Sequence, residues 1–156
     1  MDRGRVIDEQ RAFGQAVSNP RMAPALQYAA QVRTNNPQVD AAMLALIHSE
    51  SRGNPGARSP ANAWGATQVL DSTGEEIAGQ IGLPWRPALM HSSSPQAIAY
   101  QYAIGRAYLE QGIKKYRNWA DAFRFYHGGP GQKGWGPVTN TYAAYNVLKM
   151  RQLGAI

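Results

Sequence analysis

A mainly α fold in a single domain is what this sequence predicts, and three observations carry it. Seven apolar residues in succession, Ala41 to Ile47, fit a helix buried on most sides. Ile98, Tyr102, Gly105, Leu109, Ile113 and Tyr116 recur at helical spacing and fall on one face of a long helix. Convincing pairs of alternating strands do not appear, although a short β-hairpin near residues 66–69 stays open. A chain of 156 residues is most simply one domain, large enough for a real core.

The elements follow in order. Residues 1–20 are polar and end at Asn19-Pro20, so they are expected to form a mobile arm or a peripheral helix beside a domain spanning 21–156. Met22, Leu26, Ala29 and Ala30 make a short amphipathic helix, broken by Thr34-Asn35-Asn36-Pro37. Asp40 is then expected to cap or open the apolar helix. Residues 53–64 are dense in Gly, Pro, Asn and Ser and read as a loop. Ser72-Thr73-Gly74-Glu75 has capping-box spacing and predicts a short helix through Ile77, ended by Gly82-Leu83-Pro84. Ser94-Pro95 pairs an N-cap with proline at the first helical position, opening the long helix. Asn118 opens another helix to Tyr126, residues 127–136 form a glycine loop, and a final helix covers 142–153.

Composition narrows the function classes. With 44% hydrophobic and 17% charged residues the chain is globular rather than disordered. The absence of cysteine excludes disulfides and zinc–thiolate sites and permits either redox setting. The first ten residues hold no apolar run, so no signal peptide is read there, and no later run reaches membrane-spanning length. The net charge of +6 favours an anionic partner: nucleic acid, a wall polymer or a membrane surface. Only Lys114-Lys115 are adjacent basic residues, so no dedicated nucleic-acid motif is indicated, and no nucleic-acid partner is expected.

Ten acidic residues can be sorted one by one. Glu75, Glu76 and Asp121 fall in helix first turns, where negative charge suits the dipole. Glu110 stands four residues before Lys114, an exposed ion-pair spacing. Asp2, Asp8 and Glu9 belong to the N-terminal segment, Asp40 opens a helix, and Asp71 is best read as a cap. Glu50 has a buried helix on one side and the loop Gly53-Asn54-Pro55-Gly56 on the other. Partial desolvation there favours the protonated carboxyl, which is what general-acid catalysis needs. A plain surface acid in a last turn is the competing reading, and spacing alone does not reject it.

Other chemistry is thinly represented. His48 and Glu50 lie two apart and face different ways on a helix. No His-Glu-x-x-His spacing exists, so neither a metal nor another cofactor is expected. His91 and His127 read as solvated imidazoles. The stretch Gly128 to Gly134 superficially looks like a phosphate loop but lacks the Gly-Lys-Ser/Thr ending and follows a helix. Gly-x-Ser-x-Gly nucleophile motifs are absent. Trp64, Trp85, Tyr126, Trp135, Tyr142 and Tyr145 sit near loops, where rings stack on sugar faces or pack into the core. Trp64 and Trp135, each directly before a glycine, are the better candidates for ligand contact.

Three segments, in order, resemble the soluble lytic transglycosylase family of the lysozyme-like superfamily. Ala45-Leu46-Ile47-His48-Ser49-Glu50-Ser51-Arg52-Gly53-Asn54-Pro55 looks like that family's buried helix ending in Glu-Ser, with Asn-Pro in the turn. Ala57-Arg58-Ser59 and Trp64-Gly65-Ala66-Thr67-Gln68 are similar to its Ala-x-Ser and Gly-Leu-Met-Gln elements, with Ser72-Thr73 at the expected distance. Gly105-Arg106-Ala107-Tyr108-Leu109 resembles its Gly-x-x-Tyr-Leu helix. Phe125-Tyr126-His127-Gly128-Gly129-Pro130-Gly131 resembles Ala-Tyr-Asn-Ala-Gly-Pro-Gly, and Thr139 with Tyr142 matches part of a following Glu-Thr-x-x-Tyr element. The similarity spans about residues 38–148; each motif is weak alone and the ordered set is specific.

The resemblance implies a lysozyme-like fold and cleavage of the β-1,4 bond between N-acetylmuramic acid and N-acetylglucosamine in bacterial peptidoglycan, with a 1,6-anhydro product. It implies Glu50 as acid and then base. Ser59, Gln68 and Tyr126 are expected to line the groove, Tyr126 near the Glu50 carboxyl, with Trp64, His127 and Tyr142 as further substrate contacts. A lone acid agrees with a substrate that supplies its own second group, whereas ordinary glycosidases need two carboxylates. Ala66, Thr67, His127 and Val138 depart from the family's Leu, Met, Asn and Glu and bear on sugar recognition more than on the chemistry. His127 touching Glu50 is a further option. Two rivals accompany this reading: a hydrolytic lysozyme with Asp71 as second carboxylate, and a wall-binding virion protein with a degenerate site. Small size and divergent motifs suggest a phage muralytic enzyme, virion-associated or delivered to the periplasm and wall, with other virion proteins as partners. A bacterial protein exported by another route, or a domain of a longer chain, is the alternative.

Overall fold

The computed structural model describes residues 3–156; Asp2, sorted with the N-terminal segment above, lies outside the described residues. Among the described residues eight helices and one hairpin follow in the order α1 (Arg3–Ser18), α2 (Pro24–Gln31), α3 (Pro37–Ser51), β1 (Ala63–Trp64), β2 (Val69–Leu70), α4 (Asp71–Ile81), α5 (Pro87–Met90), α6 (Pro95–Tyr116), α7 (Trp119–Gly128) and α8 (Pro137–Gln152). The fold is mainly helical, as its sequence predicts. The hairpin left open near 66–69 exists with flanking register: Ala63 pairs with Leu70 and Trp64 with Val69, antiparallel.

Helix α3 is the internal element, packed by α2, α6 and α8. Ala42 to His48 are all buried, which is why the helix tolerates an unbroken apolar sequence. It starts earlier than expected. Asn36 is its N-cap, its side chain accepting from the Val39 amide at 3.2 Å, with Pro37 at the first position. Asp40 is therefore not the cap. Its carboxylate accepts from the Thr34 amide and hydroxyl at 2.9 and 2.8 Å and from Arg106 of α6 at 3.0 Å.

Residues 3–18 form α1, whose Phe13 is fully buried and meets the His48 ring edge-on at 5.2 Å. Glu9 of α1 accepts from Lys149 at 2.7 Å, and Lys149, on α8, has no exposed surface at all. Arg52 at the end of α3 donates to both Glu9 oxygens, at 2.8 and 2.9 Å. This cluster joins the first, third and last helices directly behind the turn that carries Glu50.

Several local expectations change in three dimensions. Ser72-Thr73-Gly74-Glu75 forms no capping box, because β2 runs straight into α4 and Leu70 is the N-cap, without a side-chain bond. Glu75 and Glu76 consequently sit one turn further in, and Asp71 occupies the first turn. Glu110 pairs with Arg106, four residues before it, at 2.8 Å rather than with Lys114. Helix α8 opens at Pro137, five residues earlier than expected, because this proline takes the first helical position. Ser94 and Asn118 are caps as predicted, accepting from the Ala97 and Asp121 amides at 3.1 and 2.8 Å.

The hairpin is fixed from beneath by Gln101 of α6, fully buried and absent from the sequence reading. Its Oε1 accepts from the Ala66 amide at 2.9 Å and its Nε2 faces the carbonyls of Pro55, Met90 and Ser92 at 3.1, 3.2 and 2.9 Å. A Cβ on Gly65 would meet this side chain at 2.5 Å, and φ there is +77°, so glycine is required twice over. Gly105 is needed for a related reason: a Cβ would lie 2.6 Å from Thr67, at the turn of the hairpin.

Candidate active site

Loop, hairpin and helix ends converge on a groove of about 560 Å³. The last turn of α3 contributes Glu50, the loop Ser59, the hairpin turn Gln68, α4 Thr73, α6 Tyr108, and the end of α7 Tyr126 and His127. Helix α3 ends where it does because Arg52 takes the left-handed conformation, φ 55°, and Gly53 follows at +88°. That stop leaves the Glu50 side chain in the groove wall, on an element otherwise largely buried.

Burial pushes the Glu50 carboxyl up to about 7, against a hydrogen bond from Tyr142 that favours its ionised form. The Tyr142 hydroxyl donates to Oε2 at 2.9 Å. Among the described residues Glu50 is the one carboxylate that lines the groove. An acid poised near neutrality can give a proton and take one back within a single cycle.

The remaining expected site residues divide. Ser59, Gln68, Tyr126 and His127 line the groove with Glu50. Ser59 Oγ accepts from the Ala63 amide at 3.0 Å, closing the loop. Gln68 is held at φ +52°, its Nε2 donating to the Gly65 carbonyl at 2.9 Å. The Tyr126 hydroxyl donates to the Thr67 carbonyl at 2.6 Å, and burial and the nearby Glu50 charge keep it protonated, far above its ordinary pKa. Tyr126 thus ties α7 to the hairpin turn.

Trp64 does not line the groove. Its ring packs on His91 at 4.0 Å with the Arg58 guanidinium 4.9 Å from its centroid, so it braces the hairpin from the side. Trp135 does not line the groove either: its Nε1 donates to the Gly129 carbonyl at 3.0 Å, and its ring lies 5.3 Å from Tyr116. Tyr142 reaches Glu50 from behind and is absent from the groove wall. His127 is not bonded to Glu50; its ring stacks on Tyr142 at 4.6 Å and its Nδ1 meets the Thr139 hydroxyl at 2.8 Å. Burial lowers the His127 pKa, which keeps the ring neutral beside that tyrosine.

Asp71 is not a helix cap and does not line the groove. Both its oxygens contact His91 Nε2, at 2.9 and 3.0 Å, so that histidine is not a free solvated ring either. Thr73 and Tyr108 line the groove as well, beyond the expected site residues, and both fall within the motifs that resemble the family. The Tyr108 ring lies 5.1 Å from that of Tyr126, making an aromatic wall.

Comparison with known proteins adds the family. The model of the transglycosylase SLT domain matches residues 27–146. Among solved structures, an inactive mutant of the lytic transglycosylase Slt from Pseudomonas aeruginosa is similar, with 20% identity and a TM-score of 0.58. The match covers 98% of this chain and 24% of that one, so the chain spans about a quarter of that protein's length. At this identity the likeness speaks for the fold, which is the lysozyme-like one expected. No curated protein matches by sequence. The matched segment takes in α3 with Glu50, the hairpin, α6, α7 and most of α8, and the chain belongs to the transglycosylase SLT domain family.

Proposed function

We propose that this chain cleaves the glycan strands of peptidoglycan as a lytic transglycosylase, with Glu50 as acid and then base. The observation that carries the reading is a single groove carboxyl pushed up to about 7 by burial. Protonated Glu50 gives its proton to the glycosidic oxygen as the bond from that oxygen to the muramyl C1 breaks. The substrate's acetamido oxygen stabilises the developing cation. The same sugar's 6-hydroxyl then bonds to C1 while the Glu50 carboxylate removes the hydroxyl proton, which restores the acid and leaves a 1,6-anhydro end. No second carboxylate is needed, in contrast to the paired acids of ordinary glycosidases. Tyr142 orients the Glu50 carboxyl, and Ser59, Gln68, Thr73, Tyr108 and Tyr126 shape the sugar-binding wall. The net charge of +6 suits an anionic wall polymer.

Mass analysis of muropeptides released from purified sacculi tests this directly. The expected products are anhydro ends, each lighter by one water than a reducing end. Predominantly reducing ends would establish hydrolysis instead, and absence of any release would leave only a wall-binding role.

A further inference from the structure

Tyr142, Asn146 and Lys149 follow one another at helical spacing on one face of α8. Asn146 and Lys149 have no exposed surface, and neither takes part in the chemistry above. A buried amide and a buried ammonium are costly unless their bonds compensate. The Lys149 ammonium donates to Glu9 Oε1 and to Ser49 Oγ, both at 2.7 Å. Ser49 donates in turn to Asn146 Oδ1 at 2.6 Å. The direction is forced: an ammonium only donates, so the Ser49 hydroxyl accepts from it and points its own hydrogen at the amide oxygen.

With Oδ1 taken by Ser49, Asn146 has its Nδ2 left to give, and this atom is buried and unpartnered among the described residues. Burial first, then the neighbouring Glu50 and Tyr126, hold the Tyr142 hydroxyl well above its ordinary pKa, and Asn146 draws it back, which is the action of a donor. That hydroxyl gives its hydrogen to Glu50 Oε2 at 2.9 Å and keeps a lone pair for such a donor. Every link then points one way, and donors aligned head to tail in a dry interior strengthen one another. Ser49 and Glu50 are sequence neighbours whose side chains line different cavities, and α8 reconnects them. Glu9, Arg52 and His48 face the Lys149 end, and Tyr126 and His127 face the Tyr142 end. Burial draws Lys149 down to about 8 while Glu9 supports its charge, so the ammonium persists at neutral pH.

We propose that Lys149, Ser49 and Asn146 are positioning residues that aim the Tyr142 hydroxyl at the Glu50 carboxyl, an inference that rests on Glu50 being the acid of the reaction above. Asn146 Nδ2 takes the Tyr142 oxygen as its partner, and Glu9 holds the ammonium at the far end. The ion pair of α1 and α8 thereby acts on a groove residue that neither of its members touches. Glu9 and Lys149 lie outside the matched residues 27–146, whereas Ser49, Glu50, Tyr142 and Asn146 lie within them.

The test uses substitutions that leave every charge in place. Glu50 is titrated by carbon-13 NMR of the side-chain carboxyls, with Glu50→Gln identifying its signal, and turnover is measured on sacculi. Ser49→Ala and Asn146→Leu, each first checked for a wild-type near-UV spectrum, should raise the Glu50 pKa by about 0.3, the size of a cooperative strengthening lost from one charge-assisted bond. Both should lower kcat by about threefold with KM held within about twofold. Ser49→Thr, which keeps the hydroxyl, should return both readings toward the wild type. Added to Tyr142→Phe, Ser49→Ala should move the titration no further. An unmoved Glu50 titration in either folded variant, or a shift that persists undiminished in Tyr142→Phe, overturns the chain. If Asn146→Leu does not fold, the Ser49 series decides alone. If the wild type releases nothing from sacculi while the titration moves as expected, the catalytic reading falls and the positioning chain stands. Release of anhydro ends with an unmoved titration has the reverse meaning.

Discussion

The Tyr142 hydroxyl donates to Glu50 Oε2 across 92 residues of sequence, at 2.9 Å. Two opposed influences therefore meet at one carboxyl: burial holds the proton on, and Tyr142 favours letting it go. Tyr142 is braced in turn by the stacked His127 ring, which is anchored on Thr139. The acid on α3 is thus oriented from α8 by a side chain steadied from α7.

Tyr142→Phe removes the hydrogen bond that favours ionised Glu50 while leaving the ring stack in place. The Glu50 pKa should then rise above its present value of about 7. The alkaline limb of kcat/KM, which reports loss of the acid form in the free enzyme, should move to higher pH. A looser carboxyl should also reduce kcat by about tenfold at most. A pH–rate series on sacculi checks both; an unmoved limb would mean that this hydroxyl does not bond the acid in solution.

Stability should depend on pH through three groups acting in different directions. Glu50 is raised from 4.5 to about 7, so its stabilising contribution is complete below 4.5 and is lost as pH rises through 7. Glu50→Gln should abolish activity yet raise Tm at pH 8, by an amount worth roughly 2–3 kcal/mol. His48 is lowered from 6.5 to about 3, by burial first and then by Lys149 and Arg52. Its contribution is present above 6.5 and falls away as pH drops toward 3. Glu9, lowered to about 2, contributes above 4.5 and loses that contribution as pH falls through 2. The wild type should hold its Tm between pH 6.5 and 4.5, where Glu50 and His48 offset each other, and lose it below. Glu50→Gln should already decline from 6.5. Calorimetry across this range distinguishes the two curves.

Gly105→Ala should destabilise the fold by about 1–3 kcal/mol, the usual cost of overpacking a close contact. The added methyl group would lie 2.6 Å from Thr67, whose carbonyl receives the Tyr126 hydroxyl and whose neighbour is Gln68. Urea unfolding gives the energy. A loss of activity larger than the unfolded fraction explains would show that the hairpin turn has moved against the groove.

Asp71→Asn should leave turnover within about twofold and cost under about 1 kcal/mol, as expected for an exposed polar contact screened by solvent. Its partner is His91, and the two side chains are 45% and 30% exposed. Goose-type hydrolysis through Asp71 predicts a collapse of turnover instead, so a turbidity assay of this variant separates the mechanisms.

Locally encoded features were legible in the sequence. Ser94 and Asn118 announce helix starts because each cap bond closes within three residues. The unbroken apolar run of α3 fixes both its burial and the abrupt position of Glu50. What escaped notice depends on partners far along the chain. Asp40 could not show that Thr34 and Arg106 hold it, nor Asp71 that His91 does. Trp64 has the residue type and glycine neighbour of a sugar platform, but the position of His91 decides that its face is occupied. Gln101 gives no signal at all, because a buried amide serving backbone carbonyls has no sequence pattern.

The Glu9–Lys149 pair has a consequence for the order of assembly. These residues are 140 positions apart, yet both back the helix turn that presents Glu50. During synthesis α3 emerges early, with its polar backing still unmade until the last turns of α8 have left the ribosome. Contacts of such long sequence separation form late and slowly. The hydrophobic body can collapse first, whereas the turn that carries Glu50 gains this backing only once α8 has been made. A nascent chain, or one cut short before Lys149, would therefore be compact before the Glu50 turn is braced.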